Sequence, residues 1–171
     1  METRRFTTLS MLLSLAVVLN VIESVIPLFN GYIPGLKLGL ANTVILFVLY
    51  VYSFKDAVYV SVLRVILVGM LRTGLFSIAF FFSLGGAILS VIMMYLFKKM
   101  TKLSIIGISI IGSIFHSLGQ VIVAMFLLET ANMIYYLPWL LMFSIPTGIV
   151  VGLISKELVN HLQNDLKIRE Y

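Results

Sequence analysis

Six amide or ionisable side chains lie inside otherwise apolar stretches of the sequence: Asn20, Glu23, Asn42, Arg64, His116 and Gln120. The carboxylate accepts hydrogen bonds, the guanidinium donates them, and the amides and the imidazole can do both. Asn20 and Glu23 are three residues apart and His116 and Gln120 are four apart, so in helices each pair lies on one face. Together these groups can bind a polar molecule if the fold brings them to one place.

The motifs of several enzyme classes are absent. The sequence has no GxxxxGK[ST] phosphate loop, no HExxH zinc motif and no GxSxG nucleophile elbow. Its two histidines, His116 and His161, are too far apart to share a metal, and without cysteine it has no thiolate ligands. The two aspartates, Asp56 and Asp165, cannot form the paired motifs that hold Mg²⁺ in prenyl-diphosphate chemistry. We therefore expect no catalytic residue, metal or cofactor, and no enzymatic activity.

The composition places these side chains in a membrane protein. The chain is 61% hydrophobic and only 11% charged, whereas a soluble domain is about 45–50% apolar and about 25% charged. Breaks between the apolar runs predict one all-α domain over residues 1–171, a bundle of six transmembrane helices. The predicted helices cover residues 7–29, 38–52, 57–71, 75–97, 103–128 and 134–155, and a cytoplasmic tail covers 156–171. The second and third are short for a bilayer crossing.

The basic residues set the predicted orientation, because cytoplasmic flanks of membrane proteins are enriched in lysine and arginine. With the N-terminus inside, nine basic residues lie on the cytoplasmic side, and only Lys37 and Arg72 lie on the outer side. Both termini are thus predicted to be cytoplasmic, in a multi-pass protein of the plasma membrane. Topology explains the net charge of +5, so we expect contact with lipid and no nucleic-acid partner.

Helix geometry predicts that the polar side chains lie at one level. At about 1.5 Å of rise per residue, Glu23 lies about 9 Å, Asn42 about 6 Å and Arg64 about 11 Å below the outer ends of their helices. Gln120 lies about 12 Å down its helix, and His116 is near the bilayer middle.

This convergence favours a solute-binding cavity that opens outward and is lined by Glu23, Asn42, Arg64, His116 and Gln120. With Lys37 and Arg72 near its mouth, its charge favours an anionic or acceptor-rich solute. A purely structural alternative stays open: Glu23 and Arg64 can form an ion pair, and the amides and the imidazole can bond helices together.

Small residues mark surfaces where helices approach closely. Gly148 and Gly152 form a GxxxG pattern, and a serine stripe runs through residues 109, 113 and 117; both favour packing within the bundle. Ser10 and Ser14, near the start of the first helix, can equally dock a helix of another protein.

Several ordered segments resemble a known family: residues 22–27 (IESVIP), 36–42 (LKLGLAN), 63–65 (LRV), 82–86 (FSLGG) and 116–120 (HSLGQ). They are similar to the Gx transporter family, often labelled heptaprenyl diphosphate synthase component I. That family is similar to the S-components of energy-coupling factor (ECF) transporters.

The resemblance implies a six-helix protein that captures a vitamin or related micronutrient from outside. It also implies a transmembrane coupling subunit and two cytoplasmic ATPases as partners. In those proteins an Ala-x-x-x-Ala pattern on the first helix meets the coupling subunit, and Ser10 and Ser14 are its nearest match here. Two alternatives stay open: an accessory membrane subunit of isoprenoid-diphosphate or quinone metabolism, and a docking subunit of a membrane redox complex.

Overall fold

The computed structural model of the protein describes residues 2–25 and 39–168, and all regular secondary structure in them is helical. The elements are α1 (Glu2–Val25), α2 (Leu40–Val51), α3 (Phe54–Val68), a π-helical turn (Gly69–Thr73), α4 (Ile78–Met100), α5 (Ile105–Leu127), a 3₁₀ segment (Ala131–Tyr136) and α6 (Leu137–Ile168). Lys37 and the last residues of the first predicted span lie outside the described residues.

Four described helical segments are long and apolar enough to cross a membrane: Thr3–Ser24, Ile78–Met100, Ile105–Leu127 and Ala131–His161. Their outward faces carry large hydrophobic side chains, such as Phe126 at 87% exposure and Met11 at 68%. In water such surfaces would be unfavourable, and in a bilayer they face lipid. The predicted all-α class and the predicted membrane protein are therefore confirmed.

The helix α2 is different, because it lies in the middle of the bundle. Eight of its 12 residues are buried, and α1, α3, α4 and α6 all contact it. A helix of this length rises only about 18 Å, well short of a hydrocarbon core of about 30 Å. Its first residue, Leu40, therefore starts inside the bundle, where its backbone N–H groups need protein partners.

Polar contacts tie the helix ends together at the end of the bundle that contains the N-terminus. Ser53 and Asp56 form a capping box at the start of α3, and Arg5 of α1 forms an ion pair with Asp56. Lys98, in the last turn of α4, donates a hydrogen bond of 2.8 Å to the carbonyl oxygen of Leu49 near the end of α2. These contacts fix α1, α3 and the α2–α4 pair at one end of the bundle.

The helices α4, α5 and α6 pack closely through glycines. A Cβ atom at Gly119 of α5 would lie 2.7 Å from the carbonyl oxygen of Gly85 in α4. Cβ atoms at Gly148 and Gly152 of α6 would each lie 2.7 Å from a Cα atom of α5. Since real side chains do not come this close to backbone, only glycine permits these approaches, and the predicted packing role of the GxxxG pattern is confirmed.

Candidate functional site

A polar cavity lies at the opposite end of the bundle, where α1 and α3 end and where α2, α4 and α6 begin. Its volume is about 70 Å³, about half that of an engineered 150 Å³ cavity that binds benzene. All six helices contribute to its lining, and the five predicted site residues all belong to it: Glu23, Asn42, Arg64, His116 and Gln120. The structure thus brings together side chains that lie up to 97 positions apart in the sequence.

Arg64 is the buried cation of this cavity, with only 3% of its surface exposed. Its Nη1 donates a hydrogen bond of 3.1 Å to Oδ1 of Asn42, and its charge interacts with that of Glu23. Its Nε is buried and has no hydrogen-bond partner among the described residues. An unsatisfied donor of a charged group costs more than the roughly 1–3 kcal/mol of a neutral one. The Nε donor therefore remains available to a further acceptor.

Glu23 has a second contact that links α1 to α2. Its Oε1 accepts a hydrogen bond of 2.5 Å from the backbone N–H of Leu40, the first residue of α2. The preceding residue, Gly39, has φ +79° and provides no side-chain cap. A carboxylate at this position satisfies a free N–H group and interacts favourably with the positive end of the helix dipole. Glu23 therefore helps to hold the start of α2 within the bundle.

His116 and Gln120 form the wall contributed by α5. A Cβ atom at Gly86 of α4 would lie 3.1 Å from Cε1 of His116 and 3.0 Å from Cγ of Gln120. Both side chains therefore use the space that Gly86 leaves on α4. The close approach of α4 and α5 fixes this wall, and the two side chains line the same cavity, as their placement on one helix face predicted.

The cavity is also lined by small polar residues that the sequence did not predict as site residues: Thr73, Ser83, Ser144 and Thr147. Ser144 of α6 forms a hydrogen bond of 2.7 Å with the hydroxyl of Ser117 of α5. Ser113 and Ser117, predicted only as packing residues, also line the cavity. Ser113 lies three residues before His116, and Ser117 lies three before Gln120, so each serine shares a helix face with a predicted site residue. This spacing could have predicted both serines as lining residues.

Asn20 also lines the cavity, and its Oδ1 is buried without a hydrogen-bond partner in the part of the chain that the structure describes. Arg72, on the π-helical turn, is the second cation of the lining, and it is exposed. The position of Lys37, predicted near the mouth, lies outside the described residues. The described lining thus combines two arginines, one glutamate and many neutral hydrogen-bonding groups.

Ser10 and Ser14 lie elsewhere, near the opposite end of the bundle on the outward face of α1. Both are exposed, and the hydroxyl of Ser14 donates to the carbonyl oxygen of Ser10 at 3.0 Å. The neighbouring Met11 and Leu15 are 68% and 48% exposed. These small residues therefore do not pack within the described bundle, and they remain accessible to lipid or to another helix.

Comparison with known proteins gives one family. The family model described as heptaprenyl diphosphate synthase component I matches residues 12–158, which include every predicted site residue of the cavity. No curated protein and no solved structure matches the chain. Among the described residues, no three histidine, aspartate or glutamate side chains are grouped as metal ligands.

Proposed function

The chain belongs to the heptaprenyl diphosphate synthase component I family, and from this premise and the polar cavity we propose that it is a substrate-binding membrane subunit of an ECF-type transporter. It captures a small solute, such as a vitamin or a micronutrient precursor, from outside the cell. The cavity residues Glu23, Asn42, Arg64, His116 and Gln120 bind the solute. A membrane-embedded coupling subunit and cytoplasmic ATPases then drive its uptake.

The observation that carries this proposal is the state of Arg64. A charged side chain within the bilayer costs about 2.5–3.5 kcal/mol even on insertion scales, and such residues therefore mark functional sites by default. Arg64 shares a cavity with Glu23, yet its Nε has no hydrogen-bond partner in the described residues. A purely structural ion pair would be expected to use all of its donors. In a solute-binding cavity, by contrast, one donor of the arginine stays unpaired until the solute binds.

The topology belongs to the same proposal. We place both termini in the cytoplasm and count six crossings of the plasma membrane, with α2 and α3 as short inner crossings. The cavity then opens toward the outside, and the contacts of Arg5 and Lys98 lie near the cytoplasmic surface. Residues 1–171 form one domain. The exposed pair Ser10 and Ser14 is available on α1 for docking the coupling subunit.

A second candidate function follows from the description of the matched family. A component I implies a partner component, so the chain could be an accessory membrane subunit of prenyl-diphosphate synthesis that is not itself catalytic. Mixing the purified protein with a soluble synthase partner and isoprenoid diphosphates tests this candidate. Prenyl elongation that needs Mg²⁺ and this chain would support it, and elongation unaffected by this chain would exclude it.

Native mass spectrometry of gently purified protein tests the transport proposal directly. We expect a retained small molecule on the wild-type protein and none on Arg64→Ala. Lys99→Ala is the matched control, because it also removes one positive charge but lies exposed at the other end of the bundle. A folded Arg64→Ala protein that retains the same solute with unchanged occupancy would contradict the proposal.

A further inference from the structure

We propose, resting on the function above, that the solute is a small carboxylate that also carries a hydrogen-bond donor. Its carboxylate binds the edge of the Arg64 guanidinium formed by Nε and Nη2, and its donor bonds to Oδ1 of Asn20. This assigns a chemical class to the solute, which neither the family description nor the cavity shape provides alone.

The geometry of Arg64 carries the first half of the proposal. A guanidinium has two edges at which a pair of parallel N–H groups can bind a carboxylate in a bidentate manner. Nη1 is occupied by Asn42. Nε, which lies on the edge shared with Nη2, is buried without a partner in the described residues. The edge that joins Nε and Nη2 is therefore the one that fits a planar oxyanion.

The charges of the lining favour a monoanion. The described lining has two cations, Arg64 and Arg72, and one anion, Glu23. A carboxylate compensates the remaining single positive charge. A phosphate group is largely dianionic near neutral pH, so its charge would exceed the single positive charge of the lining. It would also be repelled by the Glu23 carboxylate in the same cavity. The cavity volume of about 70 Å³ also leaves room only for a compact head group, about half of a benzene-sized site.

The second half of the proposal rests on Asn20. Its Oδ1 is a buried acceptor without a partner among the described residues, and a buried acceptor left unsatisfied costs about 1–3 kcal/mol. Asn20 lies one turn before Glu23 on α1 and lines the same cavity. A hydroxyl or N–H group next to the carboxylate of the solute would satisfy this acceptor.

Four probes of similar size test the class on the wild-type protein in nanodiscs: glycolate, glycolamide, acetate and inorganic phosphate. The thermal midpoint of unfolding is measured against probe concentration at constant ionic strength, and it yields an affinity by linkage. We expect glycolate to bind best, and glycolamide at least about tenfold more weakly because it lacks the charge. Acetate should bind several-fold more weakly because it lacks the donor, and phosphate more weakly than glycolate. Equal affinity for glycolate and glycolamide, or preference for phosphate, would overturn the proposal.

Variants separate this proposal from the proposed function. Arg64→Lys keeps the positive charge beside Glu23 but lacks the pair of parallel N–H groups that binds a carboxylate. We therefore expect it to bind glycolate at least about tenfold more weakly than the wild type. Lys99→Arg is the control and should bind as the wild type does. If Arg64→Lys binds glycolate normally, or if mass spectrometry finds a retained neutral or cationic solute, the carboxylate class is wrong while solute capture stands. If no solute is retained and no probe binds, both proposals fail.

Discussion

Replacement of Gly119 by alanine tests whether the contact between α4 and α5 is as close as the structure describes. The added Cβ atom would lie 2.7 Å from the carbonyl oxygen of Gly85 and 2.9 Å from the Cα atom of Gly86. Both neighbours are backbone atoms, so no side-chain rotation can relieve the overlap. The two helices must separate at this point, which is next to Gln120 in the cavity wall.

The magnitude follows from a comparison within the same helix. The three heavy atoms nearest to a Cβ atom at Gly107 all belong to the Leu103 side chain, at 3.3 Å or more. Both substitutions gain helix propensity, up to about 1 kcal/mol each. The difference between their free energies of unfolding therefore reports the steric overlap of the added Cβ atom at Gly119 with the backbone of α4. Overpacking typically costs about 1–3 kcal/mol, and Gly119→Ala should therefore be less stable than Gly107→Ala by about that amount.

The assay is reversible unfolding of both variants in mixed detergent micelles, followed by helical circular dichroism. Solute affinity is a second readout, because separation of α4 from α5 displaces Gln120 but leaves the chemistry of the cavity intact. Gly119→Ala should lose both stability and affinity, and Gly107→Ala should lose neither. Equal stability of the two variants would show that α4 and α5 do not approach each other through Gly119, and the described cavity wall would then be wrong.

Two further predictions concern the polar contacts at the other end of the bundle. Burial raises the pKa of Asp56, but hydrogen bonds from Ser53 and from the Arg5 guanidinium lower the pKa by more than burial raises it. The pKa of Asp56 is therefore below its usual value. The carboxylate therefore stabilises the fold above the unfolded-state pKa of about 3.9, and this stabilisation is lost as the pH falls through the folded-state pKa. Asp56→Asn should be less stable than the wild type at pH 7 and should lose less stability on acidification. Unfolding midpoints measured from pH 7 to 3 test this, and an equal dependence of the midpoint on pH in the two proteins would contradict it. Lys98→Met removes the hydrogen-bond donor at the C-terminal end of α2, and it should lower the free energy of unfolding by about 0.3–1 kcal/mol. Lys99→Met is the control and should not lower it. Equal losses of stability in the two variants would contradict the contact between Lys98 and Leu49.

Much of the cavity could be predicted because the rise of a helix is fixed. Once the apolar runs were delimited, the depth of Glu23, Asn42, Arg64 and Gln120 followed from residue counting alone. A polar group in hydrocarbon must find partners, so four such groups at one level were expected to meet. This inference needed no knowledge of which helices are neighbours, and the structure places all four in one cavity.

Other features could not be predicted, because they depend on tertiary neighbours. Hydropathy cannot separate a short membrane crossing from a helix buried by other helices, and from Val44 to Leu49 α2 is apolar on every side. The bond from Glu23 to Leu40 joins residues 17 positions apart and requires the end of α1 to meet the start of α2. Ser144 and Thr147 gave no signal, since single hydroxyl residues are common in membrane helices and usually bond to their own backbone.

The contact of Glu23 with α2 also explains why the cavity stays positive although it contains a carboxylate. The start of a helix carries a partial positive charge of roughly half a unit, and Glu23 receives a backbone N–H of α2 as well as the charge of Arg64. The Glu23 carboxylate thus interacts with two positive groups, the start of α2 and the Arg64 guanidinium. Nε of Arg64 is the donor that has no partner among the described residues. An anion that enters the cavity would complete the charge balance without displacing Glu23 from α2, so binding need not disturb the central helix of the fold.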